Sequence, residues 1–377
     1  MNAILAIDSF KGCLSSHEAE RAASLAFGPD DEFILIPVSD GGEGFSRVVT
    51  EAAGGEFRSL AASDPLGRSV QAGYGLIRDG RTAVIETASA SGLTLIPEDL
   101  RDPMKATSYG TGELMANALD NGVEEIFLGL GGSATNDGGT GMLQALGYRL
   151  VTPGGFAVPG RAVMSDIIGI DSSGRHPGLK NVRIYGFYDV DVPFCGPGGA
   201  TDMFSAQKGA GPETAEALEG WMRQLGAVYS SFSGKNAIHS PGAGAAGGIG
   251  GALYSILHAD MEQGTERVLD MAGMGISIDM GFDVIITGEG KADMQTLTGK
   301  VPKGVLDYVR RHERLHRRKP CEVYLIAGAV RDREELLSAG FDRVIQTSPD
   351  GIPAETAMDR DYAAERIRMA VESLIAG

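Results

Sequence analysis

The chain has 377 residues, of which 43% are hydrophobic, 6% aromatic and 55 are glycine; that length accommodates two or more domains with cores of their own. Its 33 basic and 50 acidic side chains give a formal net charge of −17, a surface that repels nucleic acid and anionic membranes, so neither is expected as a partner. An anionic small molecule would be repelled too, so any anion site needs local lysines, a metal or backbone N–H groups.

Cys13, Cys195 and Cys321 are far apart and form no C-x-x-C pair, the pattern of reduced thiols rather than a disulfide frame or zinc site. "MNAILAIDSFKG" reads as a first strand and not a leader peptide, and no run of about 18 apolar residues occurs. A cytoplasmic protein, monomer or homodimer, is the expectation.

In chain order, one grammar recurs: a short apolar run, a polar or glycine loop, then a helical pattern. "AILAIDSF" precedes Ser15-Ser16-His17-Glu18, a capping box opening "AERAASLAF". "DEFILIPVSDGGEG" leads into "FSRVVTEAAGG", and "EEIFLGLGG" into "TGMLQALG". Between them, "SDPLGRSVQAGYGLIRDGRTAVIE" reads as antiparallel strands around turns such as Asp79-Gly80. "DVIITGEGKAD", "CEVYLIAGAVRD" and "DRVIQTSPDG" close the chain in the first grammar. The pattern predicts an α/β fold with mostly parallel strands, a Rossmann-like or flavodoxin-like sheet domain made of residues 1–65 and 283–377. A glycine-rich α/β domain of residues 66–282 is inserted in it. Ligands of such sheets bind beyond the carboxyl ends of the strands, so the loops there are the first candidates.

Those loops hold lysines, acids, hydroxyls and glycines but no histidine, which disfavours Ser-His-Asp or Cys-His chemistry. No G-x-x-x-x-G-K-[ST] or H-E-x-x-H motif occurs, and no G-x-G-x-x-G follows a strand with a suitably placed acid. The inventory suits phosphoryl transfer to an anionic acceptor: backbone N–H groups cradle phosphate, lysines neutralise charge, and carboxylates hold a metal or take the acceptor proton. "GLGGSATNDGGTGML" (129–143) concentrates six glycines just after an apolar run. Either the backbone turns sharply there or something approaches it closely. Each loop also has a plainer reading as a turn, cap or ion-pair network, and "RRHERLHRRK" (310–319) reads as a solvated basic helix face.

Taken in order, "DSFKGCLSSHEA", "PVSDGGEG", "ETASASGL", "TSYGTGEL", "GLGGSATNDGGTGMLQALG", "FSAQKGA", "GAGAAGG" and "TGEGKADMQTLTGKVPKGV" resemble the bacterial glycerate kinase family from about residue 3 onward. The resemblance implies two α/β domains with the site in the cleft between them, ATP with Mg²⁺ as phosphoryl donor, and (R)-glycerate as acceptor, usually giving 2-phosphoglycerate. On this footing Lys11 and Asp189 are the candidate catalytic residues, Asp189 as general base. Ser9, Asp40, Arg68 and Lys300 are candidate substrate contacts. Gly131, Gly132, Ser133, Thr135, Asn136 and Asp137 are candidate ATP contacts, and Glu289 with Asp293 the candidate metal pair. Two positions depart from the family pattern: Val192 stands where an asparagine is usual, and Lys291 where an arginine is common. The rival expectations are a kinase of another small hydroxy acid and a non-catalytic nucleotide- or anion-binding relative.

Overall fold

The computed structural model describes residues 1–377 apart from Lys11, Pro37, Asp40, Glu43, 161–164, Arg318 and 376–377, and describes Thr298 by its backbone only. Its strands in chain order are β1 (Asn2–Ile7), β2 (Glu32–Leu35), β3 (Glu56–Ser63), β4 (Ser69–Ile77), β5 (Thr82–Glu86), β6 (Glu125–Gly129) and β7 (Arg149–Thr152). There follow β8 (Gly155–Phe156), β9 (Gly169–Asp171), β10 (Arg183–Tyr188), β11 (Asp260–Gln263), β12 (Val284–Ala292), β13 (Glu322–Val330) and β14 (Arg343–Gln346). Two compact units form, one of Met1–Ser39 with Thr265–Gly377 and one of Asp40–Gly264.

The first unit is a five-stranded sheet ordered β14-β13-β12-β1-β2, parallel at every pairing. Numbered within the unit, its strands run 2-1-3-4-5, the flavodoxin-like order, which reverses direction between β1 and β12. Both faces are covered, which explains why runs such as "AILAI" are apolar without interruption. Ile4, Ala6, Ile285, Val323 and Leu325 pack on one side with Val301, Val305 and Val309 of the helix Val301–His316. Ala3, Leu5, Ile7, Ile286, Tyr324 and Ile326 pack on the other with Ala19 and Ala22 of Ser16–Ser24 and Ile367 and Val371 of Arg360–Ile375. The alternation along β1 is the period-two signature of a strand. The capping box closes as expected: Ser15 Oγ accepts from the Glu18 N–H, and Glu18 accepts from the Ser15 N–H at 2.9 Å.

The second unit holds a six-stranded sheet ordered β11-β10-β6-β5-β4-β3. β11, β10, β6 and β5 are parallel, while β3, β4 and β5 form the antiparallel meander. Its second turn takes left-handed φ at Arg78, Asp79 and Gly80. A small antiparallel sheet, β8-β7-β9, completes the unit. The observed division falls at 39/40 and 264/265, so residues 40–65 and 265–282 lie in the opposite unit from the one drawn on sequence. The reasons are local. β3 pairs with β4 over eight positions, from Glu56 opposite Leu76 to Ser63 opposite Ser69, and a cut at 65 would split that hairpin. Leu269, Met274 and Ile278 belong to the core beneath β12. No helix among the described residues is long and apolar enough to cross a membrane.

Gly131 shows what the glycine loop is for: a Cβ there would lie 2.2 Å from the Gly42 Cα. Gly131→Ala should cost about 1–3 kcal/mol by overpacking. Gly220, exposed inside the helix Pro212–Ser233 with nothing within 4 Å, should instead gain roughly 0.5–1 kcal/mol on Gly220→Ala. Urea unfolding of the two variants reads both signs.

Glu20, on the inner face of Ser16–Ser24, is 1% exposed. One carboxyl oxygen has no hydrogen-bond partner among the described residues, and burial pushes the carboxyl from 4.5 up to about 8 against a hydrogen bond from the Ile7 backbone. The native state therefore keeps a proton that the unfolded chain has released, so stability falls as pH rises between those two values. Glu20→Gln should remove that fall, leaving the variant relatively more stable at pH 8 than at pH 5; parallel slopes in denaturant titrations at the two pH values would refute it.

Candidate functional site

At the reversal point of the first unit, β1 and β12 emerge side by side, joined by the Asp8 N–H donating to the Gly288 carbonyl at 2.9 Å. Ser9 follows directly, its N–H donating to Asp8 Oδ1 at 2.7 Å. On the β12 side, Glu289 accepts from the Thr296 hydroxyl and, through its other oxygen, from Lys300 Nζ at 3.0 Å. Burial raises the Glu289 carboxyl, opposed by Thr296 and Lys300. Asp293 caps the turn Met294–Thr298 by accepting from the Gln295 N–H at 2.9 Å, and its second oxygen pairs with Lys291 Nζ at 2.6 Å. That ammonium holds its carboxyl below the usual range. Ser9, Glu289, Asp293 and Lys300 thus come from one end of one sheet, as their positions in sequence imply. Lys11 and Asp40 lie outside the described residues.

The donor set at Glu289 and Asp293 does not fit a metal pair. Each carboxylate already has both oxygens engaged by protein donors, one of them a lysine. An ammonium beside each carboxylate both occupies one of its oxygens and repels an incoming cation.

In the second unit the loops that follow β5, β6 and β10 meet at the carboxyl ends of adjacent parallel strands: Glu86 is paired with Gly129, and Gly129 with Phe187. Gly41 and Gly42 nest against them, Gly131 donating to the Gly41 carbonyl at 3.0 Å. On the far side a Cβ on Gly247 would lie 1.9 Å from the Thr135 carbonyl oxygen, and Gly138 donates to the Gly247 carbonyl at 3.0 Å. Ala246, Gly247 and Gly248 all take left-handed φ to achieve this. The close approach that the glycines allow is therefore made first of all by the chain's own backbone.

Within this nest Asp137, 1% exposed, accepts four hydrogen bonds: from the Ser108 N–H and Oγ at 2.8 Å each, the Gly141 N–H at 3.1 Å and the Gly139 N–H at 3.0 Å. Burial pushes its carboxyl up, and these donors oppose the shift. Ser108 Oγ in turn accepts from the Met142 N–H at 3.0 Å. The first N–H groups of the helix Thr140–Ala145, expected to cradle nucleotide phosphate, are thus taken by an internal carboxylate and hydroxyl. Asn136 donates to Thr201 Oγ1 at 3.0 Å and Ser133 Oγ accepts from Lys208 Nζ at 3.1 Å. Of the six residues expected at ATP, Gly132 alone is exposed.

Lys208 was legible as part of "FSAQKGA" but carries a role that the motif did not assign. It is 3% exposed, donates also to the Thr135 carbonyl at 2.7 Å, and burial lowers its ammonium to about 8, with Asp137 opposing. Its signal was a lysine enclosed by small residues and followed by a glycine. Arg68 fastens the β3–β4 turn, donating to Asp64 Oδ2 at 2.6 Å and to the Leu95 carbonyl at 3.2 Å. Leu93, two residues earlier, bonds to Gly132, so Arg68 does reach the neighbourhood of the glycine loop. Asp189 stands half-buried directly past β10, and Asp191 accepts from the Gly242 N–H at 2.9 Å. The departure at Val192 is absorbed by its backbone, whose carbonyl accepts from Gly244 at 2.9 Å.

Two α/β units with polar and glycine-rich loops at the carboxyl ends of parallel strands define an α/β enzyme. The glycerate kinase family matches residues 3–376, and the chain belongs to that family. It is 39% identical over 381 residues to a glycerate kinase of Bacillus subtilis (strain 168), covering 100% of this chain and 97% of the relative. It is likewise 39% identical over 336 residues to the glycerate 2-kinase of Escherichia coli (strain K12), covering 88% and 86%. The crystal structure of a protein assigned as glycerate kinase 2 from Salmonella typhimurium LT2 superposes with a TM-score of 0.82 at 38% identity, over 100% of this chain and 97% of that one.

Asp137→Asn replaces an acceptor oxygen by an NH₂ donor facing backbone N–H groups. It should destabilise the protein by about 2–4 kcal/mol, since buried donors are left unpaired whichever way the amide turns; an unfolding midpoint equal to that of the wild type would show that the four bonds carry little.

Proposed function

We propose that the chain transfers the γ-phosphoryl group of ATP to (R)-glycerate, giving 2-phosphoglycerate. The observation that carries this reading is the family match along the whole chain, together with the resemblance to a glycerate 2-kinase over most of both lengths. The chemistry available supports it: two lysines at the reversal point of the first unit, and a carboxylate, Asp189, at the end of a parallel strand in the second.

In this reading Asp189 accepts the proton of the acceptor hydroxyl as that oxygen attacks the γ-phosphorus. The bond from the γ-phosphorus to the bridging oxygen breaks, and ADP leaves with the electron pair. Lys11 neutralises charge on the transferred group, and Ser9, Asp40, Arg68 and Lys300 orient substrate. Most of the acceleration then comes from positioning and charge stabilisation. Magnesium bound with ATP would supply neutralisation of phosphate charge, while Glu289 and Asp293, each paired with a lysine, serve to hold Lys300 and Lys291. The loop 131–139 acts as a scaffold, offering ligand its exposed Gly132 rather than its buried side chains.

³¹P NMR of the product from ATP and a panel of hydroxy acids tests the proposal. Phosphate should appear on glycerate at carbon 2, with ADP formed in equal amount, and Asp189→Asn should lower kcat by about 10²–10⁴. Transfer to carbon 3, preference for another hydroxy acid, or no transfer at all would each overturn it.

A further inference from the structure

The basic run at the end of Val301–His316 contains His312 and His316, four residues apart and therefore on one face of the helix. Their rings stack with centroids 4.3 Å apart. Asp279, the last residue of the neighbouring helix Met274–Asp279, meets them: its Oδ1 lies 3.1 Å from His312 Nε2. One ligand atom from each of the three residues lies within 4.8 Å of the others. From this geometry we propose a binding site for a borderline divalent transition metal, zinc being the ion of choice. Zinc with imidazole and carboxylate ligands at its usual bond lengths places neighbouring donor atoms about 3.3 Å apart. The His312–Asp279 pair already stands near that spacing, joined by a hydrogen bond whose place a metal can take.

Packing sets up the inner ligand. The His312 side chain is 11% exposed against 46% for Asp279, so the site has a fixed base and an open mouth. Gly275 makes room for the ring, since a Cβ there would meet His312 Cε1 at 3.1 Å, and Tyr308 stacks nearly parallel to it. A ligand held in place by its neighbours loses little freedom on binding. The surrounding basic charge is largely matched: Arg311 pairs with Glu266, and Arg310 with Glu313 and Asp342. Arg314 and Arg317 are exposed, where water and salt screen them. Two imidazoles and a carboxylate select Zn²⁺, Ni²⁺ or Cu²⁺ over Mg²⁺. The fourth position is left to water.

The site stands apart from the proposed phosphoryl-transfer chemistry. His316 is sixteen residues along its helix from Lys300, about 24 Å at the α-helical rise. A bound ion there clamps Met274–Asp279 to Val301–His316, adding stability in proportion to its occupancy, and it releases any proton held on the imidazoles.

The test uses the full chain without an affinity tag, stripped with chelator. Zn²⁺ titration by calorimetry should show one equivalent bound and a raised Tm. Co²⁺ substituted at the site should give visible d–d absorption. His316→Ala removes a ring stack and Asp279→Asn weakens one surface hydrogen bond, so each should move the metal-free Tm by only a few degrees while weakening Zn²⁺ at least about tenfold. His312→Gln should abolish the Co²⁺ absorption. Unaltered Zn²⁺ affinity in His316→Ala and Asp279→Asn, or binding no tighter than that of Mg²⁺, overturns the site.

Discussion

The second unit is organised around one buried charge. A carboxylate with no solvent to stabilise it must be met by donors or it neutralises, and Asp137 is met by four, three of them backbone N–H groups. Those donors belong to two segments: Ser108, which opens the helix Tyr109–Asp120, and Gly139 with Gly141 at the start of Thr140–Ala145. One side chain therefore fixes the relative placement of two helices and the loop between β6 and the second of them. Ser133 and Thr135 are then held where Lys208 can bond both. An arrangement that resembles a phosphate cradle in sequence is in fact already filled by an anion of the protein's own.

The glycines follow from the same constraint. A loop that brings two of its own backbone N–H groups onto one of its carboxylates has to turn tightly, and Gly138 and Gly139 do so with left-handed φ. Segments 41–42 and 247–248 then press against it closely enough that a methyl group at Gly131 or Gly247 would overlap backbone atoms. Backbone-to-backbone packing of this kind satisfies polar groups of three loops at once without side chains between them. It also explains why small and hydroxylic residues dominate here: nothing larger fits.

Strand placement was legible because buried parallel strands leave uninterrupted apolar runs, as at Ile4–Ile7, Ile126–Leu128 and Val323–Ala327. The hairpin of β3 and β4 was legible from its turn residues. The division between units was not. "SDGGEG" follows β2, a strand of the first unit, yet its Gly41 and Gly42 are shaped by Phe187 and Gly131 of the second; that partnership spans some ninety residues or more and leaves no local mark. The site was legible to the level of residue type. What local sequence could not convey was pairing: that Asp137 faces inward, that Lys208 is enclosed, and that Glu289 and Asp293 each already hold a lysine.

That pairing bears on how an acidic protein keeps cations close together. In a chain of net charge −17, isolated lysines close together would still repel each other. Lys300 against Glu289 and Lys291 against Asp293 bring two ammonium groups to one strand end in locally neutral pairs. An ammonium has three donors, and the bond to Glu289 takes one from Lys300, whose side chain remains 32% exposed. The two ammonium groups thus stand as preplaced N–H donors beside their carboxylates rather than as a bare positive cluster. The ion pairs that argue against a metal at these two acids are therefore the same feature that keeps two lysines together at this end of the sheet.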